Sequence, residues 1–161
     1  MAKRARRYWL LKSEPEVYSI DDLARDGRTE WDGVRNYQAR NYMKDEMAVG
    51  DLALFYHSNA DPPGAAGVAR VCSEAHPDST QLDRKSEYYD PKATKDAPRW
   101  SCVDVEFVER FDAPVALEAL KAEAALSGMM VVKRGVRFSV QPVDRAHFTH
   151  VVKMAGGKTK A

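Results

Sequence analysis

The sequence predicts an α+β fold, a mainly antiparallel, barrel-like sheet with short helices inserted between its strands. Two observations carry that expectation. Apolar runs of strand length recur at residues 8–11, 52–57, 68–72 and 100–110, and helical patterns fall between only some of them, so the strict strand–helix alternation of a parallel sheet is missing. No internal repeat or linker divides the 161 residues, and a chain of that length with 44% hydrophobic residues is enough for one core.

Tyr8-Trp9-Leu10-Leu11 reads as a strand that gives way to a loop at Lys12-Ser13-Glu14-Pro15, because proline lacks a ladder donor and holds its predecessor extended. Ser19 followed by Asp21 and Asp22 has the N-cap and first-turn acids of a short helix ending near Gly27. Residues 36–47 carry neither Gly nor Pro, and Tyr37, Arg40 and Lys44 repeat at helical spacing before Gly50-Asp51 ends the pattern. Residues 52–57 and 68–72 read as antiparallel neighbours joined by a long loop at 58–67. The polar, proline-punctuated stretch 78–99 reads as an exposed loop before a long strand at 100–110. A helix at 115–126, a brief strand at 136–140 and a closing helix at 144–152 capped by Asp144 complete the series. Residues 1–7 form a basic tail, 8–152 the domain, and 153–161 a tail expected to be disordered.

Net charge is +1, but seven of the basic residues, from Lys3 to Arg7 and from Lys153 to Lys160, lie in the tails. The body between them is mildly acidic, which excludes a polycation held mainly by phosphates. The apolar stretch after the basic N-terminus is too short for a signal peptide, and no run approaches the roughly 18 residues of a membrane span. Cys72 and Cys102 stand apart with no CxxC or Cys/His spacing, so they read as thiols in a reducing compartment; a metal site and a cofactor are not expected. The expected setting is cytoplasmic, or nuclear in a eukaryote, with the chain a monomer and no membrane partner.

Four blocks stand out: Lys12-Ser13-Glu14-Pro15, the run from Trp31 to Asn41 (WDGVRNYQARN), Gly50-Asp51, and Phe55-Tyr56-His57-Ser58. Together they resemble the EVE family over about residues 8–152. The resemblance implies a PUA-like mixed pseudo-barrel, related to YTH and ASCH domains, and a module that reads modified bases, cytosines among them, in RNA or DNA.

The residue types fit a base pocket independently, since an extruded base is stacked on aromatic faces and read along its edge by hydrogen bonds. Trp31 and Tyr56 are the stacking candidates, clamping a base between them, with Ser13, Glu14, Asn36, His57 and Ser58 around it. Both aromatics fit a core equally well. Lys12, Arg35, Arg40, Arg134 and Arg137 are candidate phosphate contacts, and an ordinary solvated face is the competing account of each.

The alternative is a small hydrolase or other enzyme acting on a nucleotide-like substrate. Support for it is thin: there is no G-x-S-x-G elbow, and Ser58 next to His57 on a strand points to the other face. Glu14 and Asp32 are loop carboxylates within the blocks that acid–base work could use if they converge, and a structural or hydrogen-bonding role, such as accepting from an exocyclic amine of a base, is the favoured account. Gly64-Ala65-Ala66-Gly67 lacks the lysine and hydroxyl of a phosphate loop, and His147 with His150 lacks a third ligand. A structural part in a nucleoprotein assembly is a third reading of the basic tails. No catalytic residue is assigned.

Overall fold

Alternation along two neighbouring strands organises the molecule. In β1 (Tyr8–Ser13) and β3 (Leu52–His57), successive side chains point to opposite faces, and both faces are buried. Trp9, Leu11, Ala53 and Phe55 enter one apolar cluster with Leu23, Trp31 and Met43, whereas Tyr8, Leu10, Leu54 and Tyr56 enter a second with Phe111, Phe148 and Val151. The strands are therefore continuous apolar runs, as expected for a sheet covered on both sides.

The computed structural model describes residues 5–136 and 138–161. Its main sheet has six strands in the order β2-β7-β4-β3-β1-β8, built from β1, β2 (Arg28–Glu30), β3, β4 (Gly64–Val71), β7 (Asp104–Ala116) and β8 (Val140–Val143). It is an open, curled sheet, a half-barrel of the PUA-like kind. The pairings are antiparallel except for β1 with β3, which run parallel, with Ser13 beside His57 at their shared carboxyl ends. A two-stranded ladder of β5 (His76–Pro77) and β6 (Ser101–Cys102) lies apart from it.

Helix α1 (Ile20–Asp26) begins with a complete capping box between Ser19 and Asp22 and ends at Gly27. Helix α2 (Tyr37–Asn41) is capped by Asn36, whose side-chain oxygen accepts from the Ala39 amide, and continues as a π-turn at Tyr42–Glu46. The Gly50-Asp51 block is structural: the buried Asp51 carboxylate accepts from the Trp9 indole N–H at 3.0 Å and from the backbone of Arg7 and Ala48.

Several expectations need correcting. The loop after β3 is shorter than 58–67, because β4 already begins at Gly64. β7 extends to Ala116, so the helix expected at 115–126 shrinks to α3 (Leu117–Ala122) and a 3-10 turn at Ala124–Leu126. The last strand lies at 140–143 rather than 136–140. Helix α4 (Arg145–Met154) starts after Asp144, whose side chain makes no capping hydrogen bond. The segment expected to be a disordered tail is tied down where Glu109 accepts from the Lys158 and Thr159 amides and the Thr159 hydroxyl.

The stretch 78–99 is largely exposed, as expected, but it is anchored at the buried residues Asp78, Gln81 and Ala93. Gln81 is fully buried, donates to the carbonyls of Asp78 and Trp100, and accepts from the amides of Arg99 and Trp100. Asp90 accepts from the Trp100 indole at 2.8 Å. A polar segment is thus internally satisfied, which is what allows it to pack as a lid beside the sheet.

Candidate functional site

Where β1 and β3 end side by side, their chains part, and a cleft of about 810 Å³ opens. Lys12, Ser13 and Glu14 line it from β1, Val17 and Tyr18 from the turn that follows, and Ser58 and Asn59 from the end of β3. The far wall runs from Thr29 through Trp31 and Asp32 to Arg35, and the 78–99 segment contributes Tyr88. The Ser58 amide donates to the Ser13 carbonyl at 3.0 Å, so the two strand ends stay joined at the cleft floor.

Trp31 is the apolar wall. Its amide donates to the Val103 carbonyl at 2.9 Å, its ring meets Phe55 edge-on at 5.4 Å, and only 7% of it is exposed. Gly33 has φ 79°, and a Cβ there would lie 2.7 Å from the Tyr88 ring, so this glycine is what lets Tyr88 close against the wall.

Arg35 fastens the lid. Its guanidinium donates to the Asp78 carboxylate, the Thr80 hydroxyl and the carbonyls of Val34 and Tyr88, so every N–H of the fork has an acceptor within the protein. Asp78 also accepts from the Gly33 amide and from Thr80. Burial raises the Asp78 carboxyl, but hydrogen bonds from Thr80, Gly33 and Arg35 outweigh it and hold it below the usual range.

Asp32 has no such partners and remains exposed at the cleft wall. Loss of surrounding water, with Asp78 and Glu30 adding repulsion, pushes its carboxyl up to about 6. Among the lining residues the acids Glu14, Glu30 and Asp32 outnumber Lys12 and the already occupied Arg35, so the cleft is acceptor-rich.

An EVE domain family model matches residues 7–154. The chain belongs to the EVE family. Thymocyte nuclear protein 1 of Homo sapiens is 40% identical to this EVE domain over 170 residues, covering 94% of this chain and 75% of that protein. A hypothetical protein from Leishmania major has a solved structure that matches with a TM-score of 0.91 at 49% identity, covering 94% of this chain and 96% of that one. A crystal structure of the human THYN1 protein in complex with 5-methylcytosine containing DNA matches with a TM-score of 0.86 at 38% identity, covering 95% and 99%.

Within the EVE domain, Ser13, Glu14, Trp31, Ser58, Lys12 and Arg35 of the residues singled out from the sequence line the cleft. The clamp of Trp31 with Tyr56 does not form. Tyr56 points to the opposite face of the sheet, 3% exposed, with Lys12 Nζ 5.8 Å from its ring centre. His57 is not a lining residue: its Nε2 accepts from the Ile20 amide at 3.1 Å, and burial lowers its pKa. Asn36 serves as the α2 cap.

The phosphate candidates fare unevenly. Arg35 is fully engaged. Arg40 donates to Asn41 and the Arg99 carbonyl and lies over Tyr37, which stacks on Trp100. Arg134 is exposed and outside the cleft lining, and Arg137 lies outside the described residues. The residues missed from sequence are Tyr18, Tyr88, Thr29, Glu30, Asn59 and Ser139. None sits in a block whose local pattern betrays it; Tyr88 reaches the cleft only because Gln81 and Arg35 fold its segment inward.

Proposed function

We propose that this EVE domain reads a modified cytosine-type base in nucleic acid, taking the base out of its stack into the cleft beside Trp31. The observation that carries the reading is the pairing of one indole wall with an acceptor-rich polar edge in a cleft whose size is that of a small-molecule pocket. A cytosine presents an exocyclic amine donor, for which the Asp32 carboxylate is a matched acceptor, and ring acceptors, for which the Ser58 hydroxyl is a donor; the Ser13 hydroxyl already donates to the Tyr18 carbonyl at 2.6 Å and offers the cleft an acceptor. A 5-methyl group adds an apolar surface that suits Trp31, Val17 and Val34. Similarity to the human THYN1 structure with 5-methylcytosine containing DNA supports taking that base first.

Because the lining itself holds more acids than cations, the cleft suits a base rather than a phosphate, and Arg40 and Arg134 are the candidates for backbone contacts outside it. The test is fluorescence anisotropy with matched duplexes and single strands carrying cytosine or 5-methylcytosine, in DNA and RNA, at two salt concentrations so that phosphate and base contributions separate. The expected result is a preference for the modified strand that persists at the higher salt. Equal affinity for modified and unmodified strands in every format overturns the reading.

A further inference from the structure

Behind the cleft wall, three strands bring together side chains that have no neighbourhood in the sequence. Glu30 ends β2, His76 lies on β5, and Cys102 lies opposite it on β6, in register. The Cys102 Sγ is 3.6 Å from Glu30 Oε1 and 3.9 Å from His76 Nδ1, and one ligand atom from each of the three lies within 4.8 Å of the others. In a tetrahedral site with a metal–sulfur bond of about 2.3 Å and metal–nitrogen or –oxygen bonds of about 2.0–2.2 Å, such atoms stand roughly 3.3–3.6 Å apart. The sulfur contacts are within a few tenths of an ångström of that spacing, and the widest pair in the cluster has to close by up to about 1.2–1.5 Å.

We infer that Glu30, His76 and Cys102 form a divalent-cation site, with zinc(II) as the cation their mixed oxygen, nitrogen and sulfur donors suit best. The surroundings are those of a ligand set. His76 Nε2 lies 2.8 Å from Asp104 Oδ1, a carboxylate–histidine contact, and Asp104 is itself oriented by Arg28 at 2.7 Å; Nδ1 lies 3.0 Å from the Pro77 carbonyl and has to give up that contact and its proton to bind a metal. Glu30 is held by the Ser79 amide and hydroxyl, both at 3.0 Å. Cys102 is fully buried while Glu30 and His76 are half-buried, so a cation has one side open for entry and for a water as fourth ligand.

Without a cation the thiol keeps its proton, since burial raises its pKa and Glu30 adds to the shift; binding expels that proton and puts a thiolate on the metal. The site adjoins the cleft, because Glu30 lines it and Trp31 follows directly in the chain. A bound cation therefore pins the base of the Trp31 wall. Sequence spacing gave no sign of the site, because its ligands at 30, 76 and 102 come together only through sheet pairing.

The test uses the full chain, stripped with a chelator, kept reduced and titrated with cobalt(II). The expected result is a thiolate-to-cobalt charge-transfer band that saturates at about one equivalent and is displaced by zinc(II), as for a tetrahedral site with a cysteine ligand. Cys72→Ser keeps the band and Cys102→Ser loses it. His76→Ala, at a half-buried position that tolerates truncation, weakens cobalt binding by at least about tenfold while circular dichroism stays native, and Asp104→Asn weakens it by about tenfold or more. Absence of the band in the wild type, its survival in Cys102→Ser, or unchanged affinity in folded His76→Ala overturns the site. None of these readouts depends on nucleic-acid binding.

Discussion

The Arg35 guanidinium donates to the Asp78 carboxylate at 3.0 Å across 43 residues of chain, and that contact holds the Tyr88 segment against the cleft. Asp78 is 1% exposed and its arginine partner 23%, so the pair sits where an uncompensated charge is expensive. Arg35 lies within a family-like block as a candidate phosphate contact, yet the structure employs it as the fastener of a lid.

Asp78→Ala is expected to destabilise the fold by about 3–5 kcal/mol in urea unfolding, because it leaves Arg35 buried without its counter-charge. The pH dependence has a defined sign. The folded Asp78 carboxyl sits below its unfolded value of 3.8, so its contribution is present above that value and is lost as pH falls through the lower, folded one. An acid-unfolding profile in which Asp78→Ala removes part of the loss below about pH 4 is the check.

Asp32 acts with the opposite sign. Its folded carboxyl titrates at about 6 against 3.8 in the unfolded chain, so its charge costs stability above pH 6, and the cost is relieved as pH falls toward 3.8. If the ionised carboxylate accepts the amine of the base, affinity for a 5-methylcytosine strand rises with pH through about 6. Asp32→Asn is expected to flatten that inflection, measured by anisotropy between pH 5 and 8; a profile unchanged by the substitution removes Asp32 from the proposed base edge.

Trp31 and Tyr56 separate what the aromatic residues do. Loss of the indole in Trp31→Ala is expected to weaken modified-strand binding by about 1–3 kcal/mol, the range of a base–aromatic stack. Since Trp31 is largely buried, the same change also lowers stability by about 3–5 kcal/mol, so Trp31→Phe, which keeps an apolar wall, is the companion variant. Tyr56→Phe lies across the sheet and is expected to leave affinity unchanged. A loss in Tyr56→Phe equal to that in Trp31→Ala contradicts the one-sided cleft.

Local chemistry made much of the fold legible. Ser19 with Asp22 at one end and Gly27 at the other bound α1 because caps act within one turn. Residues 52–57 read correctly as a strand because aliphatic and aromatic residues in an unbroken run suit a sheet buried on both faces. The short β2 was missed, since three residues carry no period. The 78–99 segment read correctly as surface, but composition gave no sign that Asp78 and Gln81 are buried within it and tie it to Arg35 and Trp100.

By itself, the sequence determined where α1, β1 and β3 lie and that the chain makes an EVE-type α+β domain. Tertiary structure alone decided that β1 and β3 run parallel and open a cleft at their carboxyl ends, that Tyr56 turns away from it, that Arg35 closes a lid, and that Glu30, His76 and Cys102 meet. The division has a physical cause: caps and strand runs depend on residues within a few positions, whereas facing, pairing and charge neutralisation depend on partners dozens of residues away.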